Sequence, residues 1–239
     1  MADLVVIVPS RGRPKAAREM AQSFAATCVA DTELLFAVDR DDPFLDDYVL
    51  ENASPAGSAL GAWFAHSDVA AVDSHSMGEA LALAVPLVLE ESPAPFAIGF
   101  AGDDHRPRTV GWDKAYLDAL RELGTGIVYG NDLLQGERIP TQMAMTSDIV
   151  RALGYMAPPS LVHLYFDNFW KVLGNGADCL RYLPDVVVEH MHPVAGKAEW
   201  DEGYKRVNSN AMYEHDKAAF DDWLRTSMLS DVAKVRALR

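Results

Sequence analysis

Three potential metal ligands stand side by side in the middle of the chain. A run of apolar residues over 96–101 stops abruptly, and after one glycine come Asp103, Asp104 and His105. A helix-type apolar pattern begins at Trp112, so the cluster is expected in a loop between a strand and a helix. Ligands of open α/β sheets bind in such loops. The cluster predicts a divalent metal site, although an Asp-Asp pair is also an ordinary turn and helix-entry signal.

A second group of ligands follows the last predicted strand. The apolar stretch over 179–188 continues into Glu189, His190 and His192. Because side chains alternate between the two faces of a strand, His190 and His192 share a face if the strand continues through them. A lone histidine is more often structural, but two at this spacing beside a glutamate favour metal ligation.

Two arginines and an aspartate follow the first two predicted strands. The run Leu4–Val8 is typical of a strand buried on both faces of a parallel sheet, and Arg11 and Arg13 come in the loop after it. This loop can hold a nucleotide or phosphate, or it can be a surface turn with solvated arginines. A second apolar run ends at Asp39, which suits a hydrogen bond to a base or ribose. The two aspartates of the next Asp-Asp-Pro sequence are expected to be loop residues.

Asp167 is a carboxylate set among aromatic residues at the start of a predicted helix. Tyr165, Phe166, Phe169 and Trp170 surround it in the sequence. Aromatic surroundings raise the pKa of a carboxylate and provide a platform for a sugar or base. The helix dipole also favours an aspartate in the first turn, so a purely structural role stays open.

Alternating strand and helix patterns predict the frame that holds these residues. Up to residue 101 the order is strand, helix, strand, helix, loop, helix and strand, which favours a mostly parallel sheet with helices on its faces. A helix over Ser76–Leu89 should be bent or shortened by Pro86. The polar segment over 195–204 is typical of a mobile lid. One or two helices complete the chain. The predicted strands are Leu4–Val8, Glu33–Val38, Ala62–Ala65, Val69–Val72, Phe96–Ala101, Gly126–Tyr129, Pro140–Met145 and Cys179–Val188.

The composition is that of a globular protein without a basic surface. The 239 residues, 49% of them apolar and 23% charged, suit one domain with a C-terminal appendage. The net charge of −14 argues against a broad surface for nucleic acid, so such a partner would need a local basic patch. Neither a signal peptide nor a membrane span is recognised, and Cys28 and Cys179 lack zinc or disulfide spacing, so a cytoplasmic location is expected.

Together, these loops predict a site for a diphosphate. A divalent cation held by carboxylate and imidazole groups beside arginines neutralises phosphate oxygens. Imidazole ligation shifts the preference from magnesium towards manganese. With a separate carboxylate available as a base, the natural reaction is group transfer with a nucleoside diphosphate as the leaving group.

The same residues resemble a known family. The Pro9–Pro14 loop, Asp39, the cluster 103–105 and the sequence 189–193 look like those of GT-A fold glycosyltransferases, close to family 2 and especially to versions in phage genomes. The resemblance covers residues 1 to about 195. It implies an α/β fold with a mostly parallel central sheet flanked by helices and a C-terminal helical extension. Residues 1–195 would form the catalytic domain, and 196–239 its lid and helical extension.

The resemblance also implies roles for individual residues. In that family the first-strand loop and the acid after the second strand hold the nucleoside, and a DXD motif holds the metal and diphosphate. Here Asp103-x-His105 is similar to the Asp-x-His variant of polypeptide N-acetylgalactosaminyltransferases, which leaves Asp103 and Asp104 open as the principal ligand. The implied metal ligands are Asp103, His105 and a distal histidine, with His192 preferred to His190. The implied substrate-binding residues are Pro9, Ser10, Arg11, Arg13, Asp39, Asp104, Arg106, Trp112, Lys197 and Tyr204.

The implied reaction is metal-dependent glycosyl transfer, with Mn²⁺ or Mg²⁺, from a nucleotide sugar, with UDP as the expected nucleotide, to an acceptor hydroxyl. Asp167 occupies the place of the catalytic base of inverting members; in a retaining mechanism it would position the acceptor or sugar. Phage relatives suggest a hydroxylated base in DNA as acceptor and a host-cytoplasm location, but the charge of −14 disfavours DNA. Small-molecule, lipid and protein acceptors stay open. A local basic patch could include Arg106, Arg108, Lys197, Lys205 and Arg206.

Three other interpretations stay open. A nucleotidyltransferase would use a similar fold and metal, but its Gly-rich signature and activating lysine are absent from the first loop. A non-catalytic nucleotide- or sugar-binding module would keep Arg11 and Asp39 and dispense with Asp167. A zinc hydrolase using Asp104, His105 and His192 would leave the arginine loops unexplained.

Overall fold

The computed structural model describes residues 2–52 and 67–239, which form an eight-stranded mixed sheet flanked by helices. The strands are β1 (Leu4–Ser10), β2 (Thr32–Asp39), β3 (Ser67–Val72), β4 (Ala97–Phe100), β5 (His105–Pro107), β6 (Ile127–Asn131), β7 (Met143–Thr146) and β8 (Leu180–His190). Their order across the sheet is β3-β2-β1-β4-β7-β6-β8-β5. Strands β7 and β5 run antiparallel to their neighbours, and the others share one direction. The predicted mostly parallel sheet is confirmed.

The parallel half of the sheet is centred on β1. Leu4 of β1 pairs with Thr32 of β2 on one side and Ala97 of β4 on the other. The side chains over 4–8 are all buried, because helices cover both faces of the sheet, and this accounts for the uninterrupted apolar run. The carboxyl ends of these neighbouring strands therefore open at one edge of the sheet, where the predicted site residues follow.

The helices cover the two faces of the sheet in separate layers. They are α1 (Pro14–Thr27), α2 (Leu45–Asn52), α3 (Met77–Leu89), α4 (Trp112–Leu123), α5 (Ser147–Leu153), α6 (Phe166–Gly176), α7 (Glu202–Val207), α8 (Asn210–Thr226) and α9 (Met228–Arg236). Side chains of α1, α2 and α4 join the core on one face. Side chains of α3, α5, α6, α8 and α9 join the core on the other.

Local sequence determines where helix α3 begins, and packing determines where it ends. Ser76 caps it by accepting a hydrogen bond from the backbone N–H of Glu79 at 3.1 Å, as the sequence predicts for a serine at this position. Of the two effects expected of Pro86, bending or shortening, shortening does not occur, because the helix continues to the predicted end at Leu89. Buried Val85 and Val88 on either side of the proline hold the last turn against the core.

Several element boundaries differ from the prediction. Strand β5 was not expected, and β8 stops at His190, so the strand does not carry His192. The segment expected to be a lid contains helix α7, and α8 and α9 follow it. The strand expected over Pro140–Met145 begins only at Met143. The strand expected over 62–65 lies outside the described residues.

The last two helices are part of the same core as the sheet. Phe220 and Trp223 of α8 and Val235 of α9 pack in one cluster with Phe169 of α6. The rings of Phe169 and Trp223 meet edge to face, with centroids 4.7 Å apart. Over residues 2–52 and 67–239, the structure contains no helix with the length and apolar character needed to cross a membrane.

Candidate active site

A cavity of about 550 Å³ lies at the carboxyl edge of β1, β2 and β4 and extends to α6 and α7. This volume falls in the range typical of small-molecule sites. The cavity brings together loops that are far apart in the sequence. Of the predicted site residues, its wall contains Pro9, Ser10, Arg11, Arg13, Asp39, Asp103, Asp104, His105, Asp167, His190, His192 and Tyr204.

Three side chains form a candidate metal centre in this wall. The potential ligand atoms of Asp104, His105 and His190 all lie within 4.8 Å of one another. Strand pairing positions them, since β5 places His105 directly opposite His190 of β8. The two imidazole rings are stacked, with centroids 4.2 Å apart. Cross-strand neighbours are held closely by the ladder, so the two histidines are arranged before any ligand binds.

The charges of the cluster suit a divalent cation. Burial by itself favours neutral His190, but the carboxylates of Asp104 and Asp132 raise its pKa to about 9. Burial and the charge of His190 lower the pKa of His105. Burial opposes ionisation of Asp104 as well, yet hydrogen bonds from the two histidines hold its pKa well below the usual value. A bound cation would supply the positive charge that the site otherwise takes from the imidazolium of His190, and one carboxylate with two imidazoles is a donor set that manganese accepts.

Two predicted metal ligands lie beside the cluster and not in it. Asp103 accepts a hydrogen bond from Ser10 Oγ at 2.6 Å and faces the guanidinium of Arg13 at 3.5 Å. Burial and the neighbouring Asp104 raise the pKa of Asp103 to about 6. His192 follows the end of β8 and accepts a hydrogen bond from the backbone N–H of Val194. The structure therefore assembles Asp104 and His190 with His105. The resemblance implied Asp103 and preferred His192, with Asp104 and His190 as the alternatives.

Asp132 supports the cluster and was missed as a functional candidate. Its Oδ1 accepts the backbone N–H groups of residues 134–136 at 2.7–3.0 Å. Its Oδ2 accepts the hydroxyl of Thr141 at 2.8 Å and lies 3.8 Å from His190 Nδ1. Burial opposes its ionisation, but His190 and these donors lower the pKa of Asp132. A carboxylate behind a ligating imidazole orients the ring. The sequence feature that could have identified Asp132 is its position directly after the strand β6.

The first loop and the end of β2 form an ion-paired wall. Arg11 Nη1 donates to Asp39 Oδ2 at 2.6 Å and also to Asp41. Asp39 accepts a further hydrogen bond from Ser74. Asp41 and Asp42, expected to be plain loop residues, both hold the loop, because buried Asp42 accepts the backbone N–H of Gly12 at 2.6 Å. The structure brings Arg11 and Asp39 together as predicted for one binding region.

Asp167 also lines the cavity, in the first turn of α6. Phe100 and Trp170 line the cavity too, with ring centroids 5.0 Å apart. Burial raises the pKa of Asp167 to about 6. Its carboxylate contacts the backbone N–H of Asn168 at 2.8 Å. A carboxyl group with this pKa, open to a cavity, is suited to accept a proton near neutral pH.

Helix α7 closes over the metal cluster. The hydroxyl of Tyr204 donates to Asp104 Oδ2 at 2.7 Å, and burial and Asp104 both raise the pKa of this tyrosine. The guanidinium of Arg13 lies 4.0 Å from the centre of the Tyr204 ring and donates to Asp201 at 2.8 Å. The segment predicted as a lid is therefore tied to the first loop and to the acidic cluster.

Three residues predicted to bind substrate do not line the cavity. Trp112 is 3% exposed and packs against Phe24 and Tyr116 in the core behind the sheet, because it begins the apolar face of α4. Arg106 points to the other side of β5, where it pairs with Glu19 at 2.9 Å. Lys197 pairs with a carboxylate of β8 outside the cavity wall. For Trp112 and Arg106, the placement follows from helix and strand periodicity, which turns the side chain away from the site.

The basic residues suggested as a patch are largely neutralised by the chain itself. Arg108 and Lys197 both pair with Glu189, at 2.8 and 2.7 Å, and Lys205 pairs with Glu202 at 2.7 Å. Within the described part of the chain, Arg206 is the member of this group without an ion pair. Among the described residues, this group therefore leaves few unpaired basic side chains that could contact a phosphate backbone.

A loop before α6 contributes to the cavity and was not recognised in the sequence. His163 lines the wall, and buried Asp216 of α8 accepts the backbone N–H groups of residues 162–164 at 3.0, 2.8 and 2.6 Å. On its other side the loop contacts Gly78 of α3, whose N–H donates to Val162 at 3.0 Å. A side chain at Gly78 would collide with the carbonyl of Leu161, so only glycine permits this approach.

Comparison with known proteins places this site in a known fold. No protein-family model matches the sequence, and no curated protein matches it significantly. Among solved structures, S. aureus TarS superposes with a TM-score of 0.60 at 12% identity, covering 94% of this chain and 43% of TarS. The mannosyltransferase PcManGT of Pyrobaculum calidifontis, in complex with GDP-Man and Mn²⁺, gives a TM-score of 0.59 at 11% identity, with 99% and 73% covered.

A third structure agrees with these two. Glucosyl-3-phosphoglycerate synthase from Mycobacterium tuberculosis, in complex with Mn²⁺, UDP and phosphoglyceric acid, gives a TM-score of 0.59 at 11% identity, with 92% of this chain and 77% of the other covered. The chain has the GT-A fold, the fold of nucleotide-diphospho-sugar transferases. It spans less than half of the TarS chain. The phage-type, DNA-modifying subtype receives no support from these structures.

Proposed function

We propose that this protein is a metal-dependent glycosyltransferase that moves a sugar from a nucleoside diphosphate, with UDP as the first choice, to an acceptor hydroxyl. The observation that carries the proposal is the single cavity shared by the Asp104, His105 and His190 cluster, the Arg11 and Asp39 pair, and Asp167. Neither a simple metal site nor a simple binding module accounts for all three. The similar structures include complexes with UDP-GlcNAc, with GDP-Man and Mn²⁺, and with UDP and Mn²⁺.

Different residues of the cavity would bind the nucleoside and the cation. Arg11 and Asp39 would hold the nucleoside, at the edge of β1 and β2. Asp104, His105 and His190 would hold the cation, which when bound neutralises the diphosphate leaving group. Arg13 would add a second positive charge beside it. Residues 1–195 would form the catalytic domain, and 196–239 its lid and C-terminal helical extension.

Transfer breaks the bond between the anomeric carbon of the sugar and the diphosphate oxygen and forms a bond to the acceptor oxygen. The nucleoside diphosphate leaves with the electron pair of the broken bond. In an inverting reaction, the proton of the acceptor hydroxyl goes to the carboxylate of Asp167. Because most of the basic residues near the site are paired within the chain, with Arg206 as the exception among the described residues, we favour a small or uncharged acceptor over DNA.

Calorimetric titration with UDP, with and without Mn²⁺, tests the donor site. We expect manganese-dependent binding that Asp104→Ala and His190→Ala weaken by about 10- to 100-fold or more. Glu189→Gln is the matched control, since Glu189 precedes His190 in β8 but pairs with Arg108 and Lys197 outside the cavity. UDP binding that ignores manganese, or that Glu189→Gln and His190→Ala weaken equally, would remove the metal-dependent donor site from the proposal.

A further inference from the structure

The loop before α6 holds a cavity-lining imidazole that the proposed reaction does not yet use. His163 lies four residues before Asp167, and both line the same wall. Within the described part of the chain its ring has no hydrogen-bond, ion-pair or ring partner. Its nitrogens are therefore available to a ligand that enters the cavity.

The protonation state of this imidazole suits a neutral, polar ligand group. Burial lowers the pKa of His163 to about 4. The charges of Asp216 and Asp104 raise this pKa, and those of Arg13 and Arg206 lower it further. At neutral pH the ring is uncharged, so it donates one hydrogen bond and accepts another. A sugar hydroxyl offers the complementary donor and acceptor on one atom.

The backbone that carries the ring is fixed from two sides. Asp216 holds the backbone N–H groups of residues 162–164, and Gly78 donates to the carbonyl of Val162. Because the backbone is already ordered, binding a ligand here costs only the freedom of the side chain, which favours a specific contact.

We infer that His163 is a donor-sugar contact: its imidazole hydrogen-bonds a hydroxyl or carbonyl oxygen of the sugar that is transferred. The inference rests on the proposed function, in which the diphosphate binds at the cluster of Asp104 and the acceptor hydroxyl meets Asp167. The transferred sugar must lie between these two groups, because its anomeric carbon bonds to the first and then to the acceptor. His163 lines the same cavity wall as Asp104 and Asp167 and lies in the loop that enters α6, so we place the transferred sugar, and not the nucleoside, beside it.

The test compares a nucleotide sugar with its own nucleoside diphosphate. Calorimetry with Mn²⁺ gives the affinities of the wild-type protein for UDP, UDP-glucose, UDP-galactose and UDP-N-acetylglucosamine, and for GDP and GDP-mannose. For the nucleotide sugar that binds most tightly, we expect His163→Ala to weaken binding about five- to tenfold while the nucleoside diphosphate alone binds as before, the loss of one hydrogen bond. His163→Gln, which keeps a donor and an acceptor, should recover part of the loss.

His75→Ala is the matched control, because His75 lines the same cavity beside Ser74, the partner of Asp39, at the nucleoside end. Any loss in this variant should fall equally on UDP and on the nucleotide sugar. Equal weakening of both ligands by His163→Ala would assign the ring to the diphosphate, and unchanged affinity for both would assign it to neither; each result overturns the inference. If the wild-type protein binds no nucleoside diphosphate with Mn²⁺, the proposed function fails as well.

Discussion

At the scale of single residues, Asp167 has the most specific proposed role, that of the base that accepts the proton of the acceptor hydroxyl. Asp167→Asn keeps the size of the side chain and removes its ability to accept a proton. We expect the transfer rate to fall about 10²- to 10⁴-fold while the affinity for UDP stays within about twofold. Initial rates and calorimetry measure the two effects. An active Asp167→Asn enzyme would move the base elsewhere, and parallel loss of binding and turnover would point to a positioning role.

The same carboxylate predicts the pH dependence of the reaction. Because burial raises the pKa of Asp167 to about 6, the base is ionised above that pH and protonated below it. The transfer rate under donor saturation should be constant above about pH 7 and fall about tenfold for each pH unit well below 6. Rates measured between pH 4.5 and 8 give the midpoint, with unfolding followed in parallel. A midpoint near 4, the ordinary value for an aspartate, would show that burial does not tune this group.

The candidate metal cluster leaves no room for a side chain at Gly102. A methyl group at this position would lie 2.5 Å from Asp104 Oδ1 and 3.1 Å from His105 Nδ1, so the carboxylate would have to move. Gly102→Ala should weaken Mn²⁺ binding by about tenfold or more, with a small change in the unfolding temperature. Titration of the metal followed by calorimetry measures the effect. Wild-type affinity for Mn²⁺ in this variant would mean that Asp104 is not a ligand.

At the scale of elements, α8 controls the cavity through one buried carboxylate. Asp216 is fully buried and accepts three consecutive backbone N–H groups of the loop that carries His163. We expect Asp216→Asn to lower the free energy of unfolding by about 2–4 kcal/mol, because the amide cannot accept all these bonds and leaves buried donors unsatisfied. The affinity for the nucleotide sugar should fall with it, since the loop is released.

Asp221 on the same helix provides the matched control for this prediction. It is exposed and pairs with Lys217 one turn away, so Asp221→Asn should change the free energy of unfolding by less than about 0.5 kcal/mol. Denaturant titrations of both variants measure the difference. Equal stabilities would contradict the clamp, and a destabilised Asp216→Asn with normal sugar-nucleotide affinity would separate stability from the site.

Pairing between elements explains why the cluster differs from the set of ligands that the resemblance implied. Strand β5 is three residues long, too short to be recognised from an alternating pattern. It pairs with β8 and thereby sets His105 against His190, which makes His190 the histidine of the cluster. His192 lies past the end of the strand and turns with the chain. The spacing of the two histidines was visible in the sequence, but the point where the strand ends was not.

At the scale of the whole molecule, the negative net charge predicts weak binding to nucleic acid. The net charge is −14, and the basic residues near the site are paired with carboxylates of the chain, with Arg206 as the exception among the described residues. We expect no duplex DNA binding below about 100 µM at physiological salt, because affinity for DNA depends on unpaired basic side chains. A gel-shift titration measures this.

The combined variant Glu189→Gln, Glu202→Gln serves as the comparison for DNA binding. It frees Arg108, Lys197 and Lys205 and should bind DNA more tightly than the wild-type protein, with a steeper dependence on salt. Micromolar, salt-sensitive binding by the wild-type protein would restore nucleic acid as a candidate acceptor.

The sequence by itself determined the fold class and the loops that meet at the site. Uninterrupted apolar runs predicted β1, β2 and β4, and a helical spacing of apolar residues predicted α4. Burial sets the spacing of apolar residues within each segment, so this signal can be recognised locally. Since parallel strands end at one edge, the loops with Arg11, Asp39 and Asp104 were expected together, and the structure brings them into one cavity.

The tertiary structure decided which side chains share a centre. Asp104 and His190 are 86 positions apart, and no local pattern records that β8 brings them to within 3.3 Å. Asp103 turns to Ser10 while its neighbour turns to the histidines, and Asp132 and Asp216 act through backbone groups that have no signature in the sequence. Strand register and loop anchoring are long-range properties, so ligand choice and the position of His163 followed only once the chain was folded.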